Sequence, residues 1–376
     1  MATSSASSVR DERARRRLRR PALAAITLAH GGDGVAVVSN LLWRALQRRW
    51  PDTRLLTLFD GPARVPGMAD KASFTATLMT ELAAHRPCGI VYSHLGLARA
   101  QAYVPTIVAR PYVVFLHGVE AWGSLGDVDL RLLQRASLRL ANSSFTAARV
   151  ANAHPSIGPV VPCPLALLDD ATGTSLSGAT LDPSPLPTDG PIVLIVGRMH
   201  ASEAYKGHDQ LIEAWPAVIA RVPNAYLVVA GDGNDRPRLE HKARLVTGGD
   251  RIRFLGFAPP PVLEACYQTA AVFALPSRGE GFGLVYLEAM ARGLPCVGSR
   301  QDAAGDVIVD GTTGHLVEQA SVPELASAIV GLLGDDDQRR AMGEAGRRRF
   351  AGEFSEAAFS RRLLAALEPL FDGSTR

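Results

Sequence analysis

The sequence predicts an α/β protein made of two doubly wound domains, each on a parallel sheet. Three observations carry this. At 376 residues the chain is long for a single hydrophobic core. In both halves short apolar runs alternate with segments of helical spacing, the pattern of strands joined by crossover helices. Between Leu165 and Gly190 the periodicity gives way to Asp-, Pro-, Ser- and Gly-rich loop composition, which sets the boundary there. The expected parts are a basic tail at 1–20, a first domain at 21–164, a linker at 165–190, a second domain at 191–353 and a helical segment at 354–376.

Composition is that of an ordinary globular protein, with 47% apolar and 20% charged residues. No stretch reaches the ~18 uninterrupted apolar residues that span a bilayer. Net charge is only +3, and no nucleic-acid partner is expected. Arg10–Arg20 holds seven arginines and two acids. Its plain reading is a solvated tail, and its functional alternative is attraction to anionic lipid. Pro21–Ala29 resembles the apolar part of an export signal, but no small-residue cleavage site follows cleanly. A cytoplasmic protein is expected, with attachment to the inner face of the plasma membrane as the accompanying option. Cys88, Cys163, Cys266 and Cys296 form no C-x-x-C pair; they read as reduced core residues, and no metal site or cofactor is expected.

In chain order, Ala22–Ala29 is an apolar strand. Gly31, Gly32 and Gly34 then permit a sharp turn into a helix over Val35–Arg48, with Val38, Leu41, Leu42 and Leu46 on one side. The turn is not a full G-x-G-x-x-G, so it reads equally as a tight βα connection or as a loop whose amides, Gly32 included, face phosphate or acceptor. Arg54–Phe59 is the next strand and Ser73–Ala84 the next helix. Gly89–Tyr92 is a strand ending in Ser93-His94, and Tyr112–Leu116 is one ending in His117-Gly118, with Glu120 just beyond. Ligands of open α/β sheets sit outside the carboxyl ends of strands, which makes His94, His117 and Glu120 candidates. Asp129–Leu140 is read as one amphipathic helix carrying a basic stripe of Arg131, Arg135 and Arg139, either a solvated face or a membrane contact. Asp127-Val-Asp129 reads as helix capping. Ser143 or Ser144 can cap the helix that follows.

The second half repeats the alternation. Strands are expected at Pro191–Val196, Ala225–Ala230, Ile252–Phe257, Ala271–Leu275 and Cys296–Ser299, with helices at Asp209–Ala220, Leu239–Val246, Val262–Thr269 and Leu284–Ala291. Asp306–Val317 reads as strand–turn–strand, and helices at Pro323–Leu333, Asp335–Phe350 and Phe354–Leu370 follow.

Ser277–Pro295 is the most informative stretch. A buried strand runs into Gly279, Gly281 and Gly283, then a helix that Gly293-Leu-Pro295 stops. Amides at such a helix N-terminus make an anion site. Glu280 in the turn and Glu288 in the helix put carboxylates on either side of it, for a ligand with hydroxyls flanking its charge, such as a nucleotide sugar. Arg198, at the end of a buried strand, suits bidentate phosphate contact, and Lys206 adds a point charge. Together they can neutralise a leaving diphosphate.

These pieces, in order, resemble the family 4 retaining glycosyltransferases of the GT-B fold. The resemblance is carried by Val196-Gly-Arg198 with Lys206-Gly207, Val229-Ala-Gly-Asp-Gly233, Phe254-Leu-Gly256, Leu275-Pro-Ser277, Glu280-Gly-Phe-Gly with Glu288-Ala-Met-Ala, Gly293-Leu-Pro295, and Asp310-Gly with Gly314. It covers roughly Ile192–Val317 and extends more loosely to Gly31-Gly32, His94, His117-Gly118 and Ser143–Thr146.

The resemblance implies two Rossmann-like domains facing across a cleft, with the last helix crossing back to the first. It implies metal-independent transfer of a hexose of glucose or mannose type from a UDP- or GDP-sugar to a glycan, lipid-linked or small-molecule acceptor, with retention, in cell-surface polysaccharide or glycoconjugate synthesis. Arg198 and Lys206 would hold the diphosphate, Glu280 the sugar hydroxyls, Glu288 the ribose, and the amides of Gly281, Phe282, Gly283 and Leu284 sugar or phosphate. His117 would stand beside the reacting sugar, with Gly197, Gly256 and Phe257 along the donor. The loop from Arg198 to Lys206 is longer than the family's commonest spacing, Asp306 stands where a Glu is usual, and Ala303-Ala304-Gly305 replaces a more Gly-rich run. Two other classes fit the fold: a sugar-nucleotide epimerase, and a nucleotide-sugar-binding protein without turnover.

Overall fold

The computed structural model describes residues 20–29, 34–62, 64–169 and 182–372. The candidate tail Arg10–Arg19, the turn at Gly31 and Gly32, and most of the Asp/Thr/Ser-rich part of the expected linker lie outside the described residues. The chain divides into two compact units, Met1–Leu168 with Glu356–Arg376, and Asp169–Ser355. No helix among the described residues is long and apolar enough to cross a membrane.

The first unit holds β1 (Ala22–Ala25), α1 (Gly34–Arg49), β2 (Arg54–Thr57), α2 (Met68–Ala84), β3 (Ile90–Tyr92), α3 (Leu95–Ala98), β4 (Tyr112–Leu116), α4 (Val119–Trp122), α5 (Asp127–Arg135), β5 (Leu138–Ala141), α6 (Ser144–Ala153) and β6 (Val160–Pro162). All pairings are parallel and the strand order is β2-β1-β3-β4-β5-β6. The central strands are buried on both faces, so they read as unbroken apolar runs such as Tyr112–Leu116. The chain moves one way from β1 to β2, then returns past β1 to β3. The order therefore reverses between β1 and β3.

Three expectations are corrected in this unit. The helix read across Asp129–Leu140 ends at Arg135; Ala136 is extended, and the chain enters β5. Arg139 therefore leaves the basic stripe. It is 8% exposed, and its guanidinium donates to the carbonyls of Leu133 and Pro159. Of the three arginines of the stripe, Arg131 and Arg135 remain exposed on the helix. Asp127 and Asp129 lie in the first turn of α5, but the N-cap is Gly126 and no side-chain hydrogen bond caps it; Asp129 instead takes a bidentate contact from Arg99 at 2.7 and 2.8 Å. Leu165–Leu168, read as the start of the linker, are buried with the first unit.

The second unit holds β7 (Ile192–Val196), α7 (His208–Ile219), β8 (Tyr226–Ala230), α8 (Arg236–Leu245), β9 (Ile252–Gly256), α9 (Pro260–Thr269), β10 (Val272–Leu275), α10 (Leu284–Ala291), β11 (Cys296–Ser299), α11 (Ala304–Val307), β12 (Gly314–Val317), α12 (Val322–Gly334) and α13 (Asp336–Glu353). Its six strands are again all parallel, in the order β12-β11-β10-β7-β8-β9. Trp215, Phe273, Tyr286 and Phe282 fill its core. The reversal of strand order falls between β7 and β10. Asp306 and Val307, expected in a strand, end the short helix α11, and only Gly314–Val317 pairs with β11.

Helix α14 (Glu356–Phe371) returns to the first unit. Glu356 is fully buried and accepts from Arg44 and Arg48 of α1, Arg49 reaches Glu368 at 2.7 Å, and Phe371 meets Trp50 edge-on at 5.7 Å. Phe371 also lies where any side chain at Gly89 would stand.

Candidate functional site

In a doubly wound sheet the natural ligand crevice lies outside the carboxyl ends of the two strands that flank the reversal. In the second unit those strands are β7 and β10. Their register (Val272 beside Val193, Phe273 beside Leu194) brings the loops that follow them side by side. The loop after β7 carries Gly197, Arg198 and Lys206; the loop after β10 carries Glu280 to Gly283. The two lips touch through backbone. Gly207 has φ of 89°, and a Cβ there would lie 2.4 Å from the Pro276 carbonyl oxygen, so only glycine allows this approach.

The cations predicted for this crevice are already engaged. Lys206 Nζ lies 3.2 Å from Glu280 Oε2, with both side chains largely buried. Burial, the largest single influence, lowers the Lys206 ammonium, but Glu280, Tyr205 and Glu203 together outweigh it and the net shift is upward. Arg198 Nη2 lies 2.6 Å from Glu203 Oε1, and the second carboxylate oxygen of Glu203 is buried with no hydrogen-bond partner. Glu203 stands at a kink in the short 3-10 segment over Ala201–Lys206, the extra length noted between Arg198 and Lys206. The Tyr205 hydroxyl feels Lys206, Glu280, Glu203 and Arg198 together, although burial is the first cause of its raised pKa. Two cations and two carboxylates thus share the crevice in balance.

On the other lip, Gly283 is the N-cap of α10 with φ of 85°, no side chain caps the helix, and no acid lies in its first turn. That leaves the positive end of the dipole uncompensated by side chains, which suits an anion. Phe282 is a core residue packed edge-on to Phe354 at 6.0 Å, so its amide, not its ring, belongs to the turn. Glu288 is not gathered with Glu280: its Oε2 accepts the Tyr267 hydroxyl at 2.5 Å, and burial raises its carboxyl. Gly256 ends β9 with φ of 71°, and Phe257 beside it is 78% exposed.

Three residues of this site, Glu203, His208 and Asp302, carried no sequence signal. Beyond Glu203, His208 is 5% exposed with Nε2 unpartnered, near Gly197. Burial, then Lys206, lower it to about 4, so it is neutral. The third, Asp302, accepts the Glu280 amide at 3.1 Å.

In the first unit His94 and His117 come together, with ring centroids 5.4 Å apart. His117 Nε2 lies 2.6 Å from the Ser93 carbonyl, which only accepts, so Nε2 carries the proton. His94 Nδ1 accepts the Gly96 amide at 2.9 Å. Glu120 accepts the His117 amide at 2.5 Å, and Asn142 donates to the His117 carbonyl at 2.7 Å. Glu120 therefore supports the His117 backbone.

A family model, Glycosyl transferases group 1, matches residues 179–349. A D-inositol 3-phosphate glycosyltransferase of Corynebacterium aurimucosum is 38% identical over 166 residues, 43% of this chain and 39% of that one. A GDP-mannose-dependent alpha-(1-6)-phosphatidylinositol monomannoside mannosyltransferase of Mycolicibacterium smegmatis is 36% identical over 166 residues, 42% of this chain and 43% of that one. The matches thus span about two fifths of these relatives' length. Among solved structures, a sucrose-phosphate synthase of Thermosynechococcus elongatus superposes with a TM-score of 0.75 at 22% identity, covering 94% of this chain and all of that one. HepE of Anabaena, solved with UDP, gives 0.69 at 17% identity, covering 93% of this chain and 99% of that one. The fold is GT-B, as the sequence resemblance implied.

Proposed function

We propose that this chain, whose second unit belongs to the glycosyl transferases group 1, is a family 4 retaining hexosyltransferase that uses a nucleotide sugar. The observation that carries the reading is the crevice between β7 and β10, with Arg198 and Lys206 on one lip and Glu280 and the uncapped start of α10 on the other. Such a crevice meets a ligand that is anionic in the middle and hydroxylated beyond it. One relative is GDP-mannose-dependent by name and one structural neighbour was solved with UDP, so both bases are donor candidates.

In this reading the donor's diphosphate displaces Glu203 from Arg198 and approaches Lys206 and the α10 amides. As the glycosidic bond breaks, negative charge grows on the departing diphosphate, and fixed positive groups favour that state over the ground state. Glu280 accepts from sugar hydroxyls while steadying Lys206. We assign Glu288 to the ribose once it is released from Tyr267, Gly197, Gly256 and Phe257 to the remaining donor contacts, and the acceptor to the carboxyl edge of the first sheet, where His94, His117 and Glu120 gather. No metal or cofactor is assigned a part. Glycan, lipid-linked and small-molecule acceptors all remain in the proposal, and Arg131 and Arg135 keep a role at an anionic membrane as its outermost element.

Thermal-shift screening against UDP, GDP, ADP and their sugars tests it: stabilisation by one base series names the donor. Donor is then incubated with and without acceptors. An epimer formed without acceptor overturns the transferase reading in favour of an epimerase. Saturable binding that never releases nucleoside diphosphate overturns it in favour of a binding protein.

A further inference from the structure

We propose that Asp302 is a positioning residue for Glu280, its carboxylate latching the glycine-rich turn after β10 to the loop after β11. Asp302 is 4% exposed. Its Oδ2 accepts the Glu280 amide at 3.1 Å and its Oδ1 accepts the Ala304 amide at 3.0 Å. The Glu280 carbonyl in turn accepts the Ala303 amide at 3.2 Å. Neighbouring residues of one loop therefore hold Glu280 by both its amide and its carbonyl. The buried Ser277 hydroxyl hydrogen-bonds the same carboxylate, and Ser277 Oγ accepts the Gly279 amide at 3.3 Å.

The need for such a latch follows from the sequence of the turn. Glu280 is flanked by Gly279 and Gly281, with Gly283 beyond, and glycine gives the chain the most freedom to move. A turn of this composition does not fix the place of a carboxylate by itself. Asp302 supplies the rigidity from outside, and the result is the 3.2 Å contact between Glu280 and Lys206. This role goes beyond the proposed function and rests on it for the meaning of Glu280.

The latch also has a charge. The Asp302 carboxyl is raised to about 7: burial, the largest cause, and the Glu280 carboxylate push it up, against the Ala304 and Glu280 amides and the Ser277 hydroxyl. The titratable and charged groups around it are Glu280 from the turn, Tyr286 from α10, and Lys206 on the far side of Glu280. The partners of the carboxylate are donors, so a proton on Asp302 removes an acceptor and sets donor against donor. The latch is tight when Asp302 is ionised and loosens as pH falls through about 7.

Calorimetry on the full chain with UDP, GDP, UDP-glucose and GDP-mannose between pH 6 and 8 tests this. Wild type is expected to bind one sugar nucleotide more tightly than its diphosphate, by a margin that grows with pH. Asp302→Asn is expected to keep diphosphate affinity within about threefold, lose about tenfold of the sugar margin, and lose its pH dependence. Ser277→Ala, which keeps the carboxylate, is expected to shrink the margin while leaving it pH-dependent; it serves as the second variant should Asp302→Asn fold poorly. Equal loss of diphosphate and sugar nucleotide, or a margin and pH profile unchanged in both variants, overturns the assignment. A wild type that binds none of the four probes overturns the proposed function itself, and this assignment with it.

Discussion

Glu203 holds the Arg198 guanidinium at 2.6 Å while its other carboxylate oxygen lies buried without a partner. In the proposed reading a donor diphosphate that reaches Arg198 competes for this one side chain with Glu203, five residues further along the same loop. Glu203→Gln removes the competing charge but keeps the shape. Affinity for UDP or GDP is expected to rise about twofold to fivefold, the worth of an exposed ion pair. Titration calorimetry at two salt concentrations checks it; weaker binding would mean that Glu203 orients Arg198 for the ligand.

Arg198→Ala and Glu280→Gln are each expected to lower turnover about a hundredfold or more while the circular dichroism spectrum stays that of wild type. The gentler glutamine is chosen because Glu280→Ala leaves the largely buried Lys206 ammonium unpaired. Release of nucleoside diphosphate is the readout, and a near-normal rate in either variant refutes the roles assigned here.

Chelation is the third test. If, as proposed, the diphosphate charge is met by Arg198, Lys206 and helix amides, EDTA is expected to leave the rate of donor turnover unchanged. A rate that collapses and returns with Mg²⁺ or Mn²⁺ would assign the charge stabilisation to a metal ion.

His208 gives a stability prediction. Its folded pKa is depressed to about 4, below the unfolded value of about 6.5. The unfolded chain then binds the proton more readily, so this contribution is complete above about 6.5 and is lost as pH falls toward 4. Denaturant midpoints measured across that window should fall less steeply in His208→Gln than in wild type. Equal slopes would mean that the ring is not held neutral.

Glu356 is fully buried against Arg44 and Arg48. Glu356→Ala is expected to cost about 2 kcal/mol in urea unfolding, because charged hydrogen bonds are lost while the arginines left behind are a third to half exposed. A loss below ~0.5 kcal/mol would show that the contact is no stronger than a surface pair.

Most of the strands were legible because buried parallel strands are continuous apolar runs; Tyr112–Leu116 and Cys296–Ser299 match residue for residue. Helix α10 was legible at both ends, from Gly283 and from Gly293-Leu-Pro295. Arg139 misled because a spacing of four is also what separates the end of one helix from the middle of the following strand. Asp302 and Glu203 were invisible for a different reason. Their importance lies in which backbone amide or guanidinium folding brings to them across 22 residues in one case and five in the other, and no local pattern marks that. The pairing of Glu288 with Tyr267 is equally a property of the folded chain.

Because residues 169–355 are synthesised before Glu356–Phe371, the second unit leaves the ribosome whole while the first still lacks a helix. Until that helix arrives, the arginines of α1 have no Glu356 or Glu368 to meet, and the space beside Gly89 that Phe371 fills stays open. The sheet made first is therefore finished last. A fragment cut at Leu168 would lack that closing helix, whereas a permuted chain with Glu356–Phe371 placed ahead of Ala22 would let the first unit mature on its own.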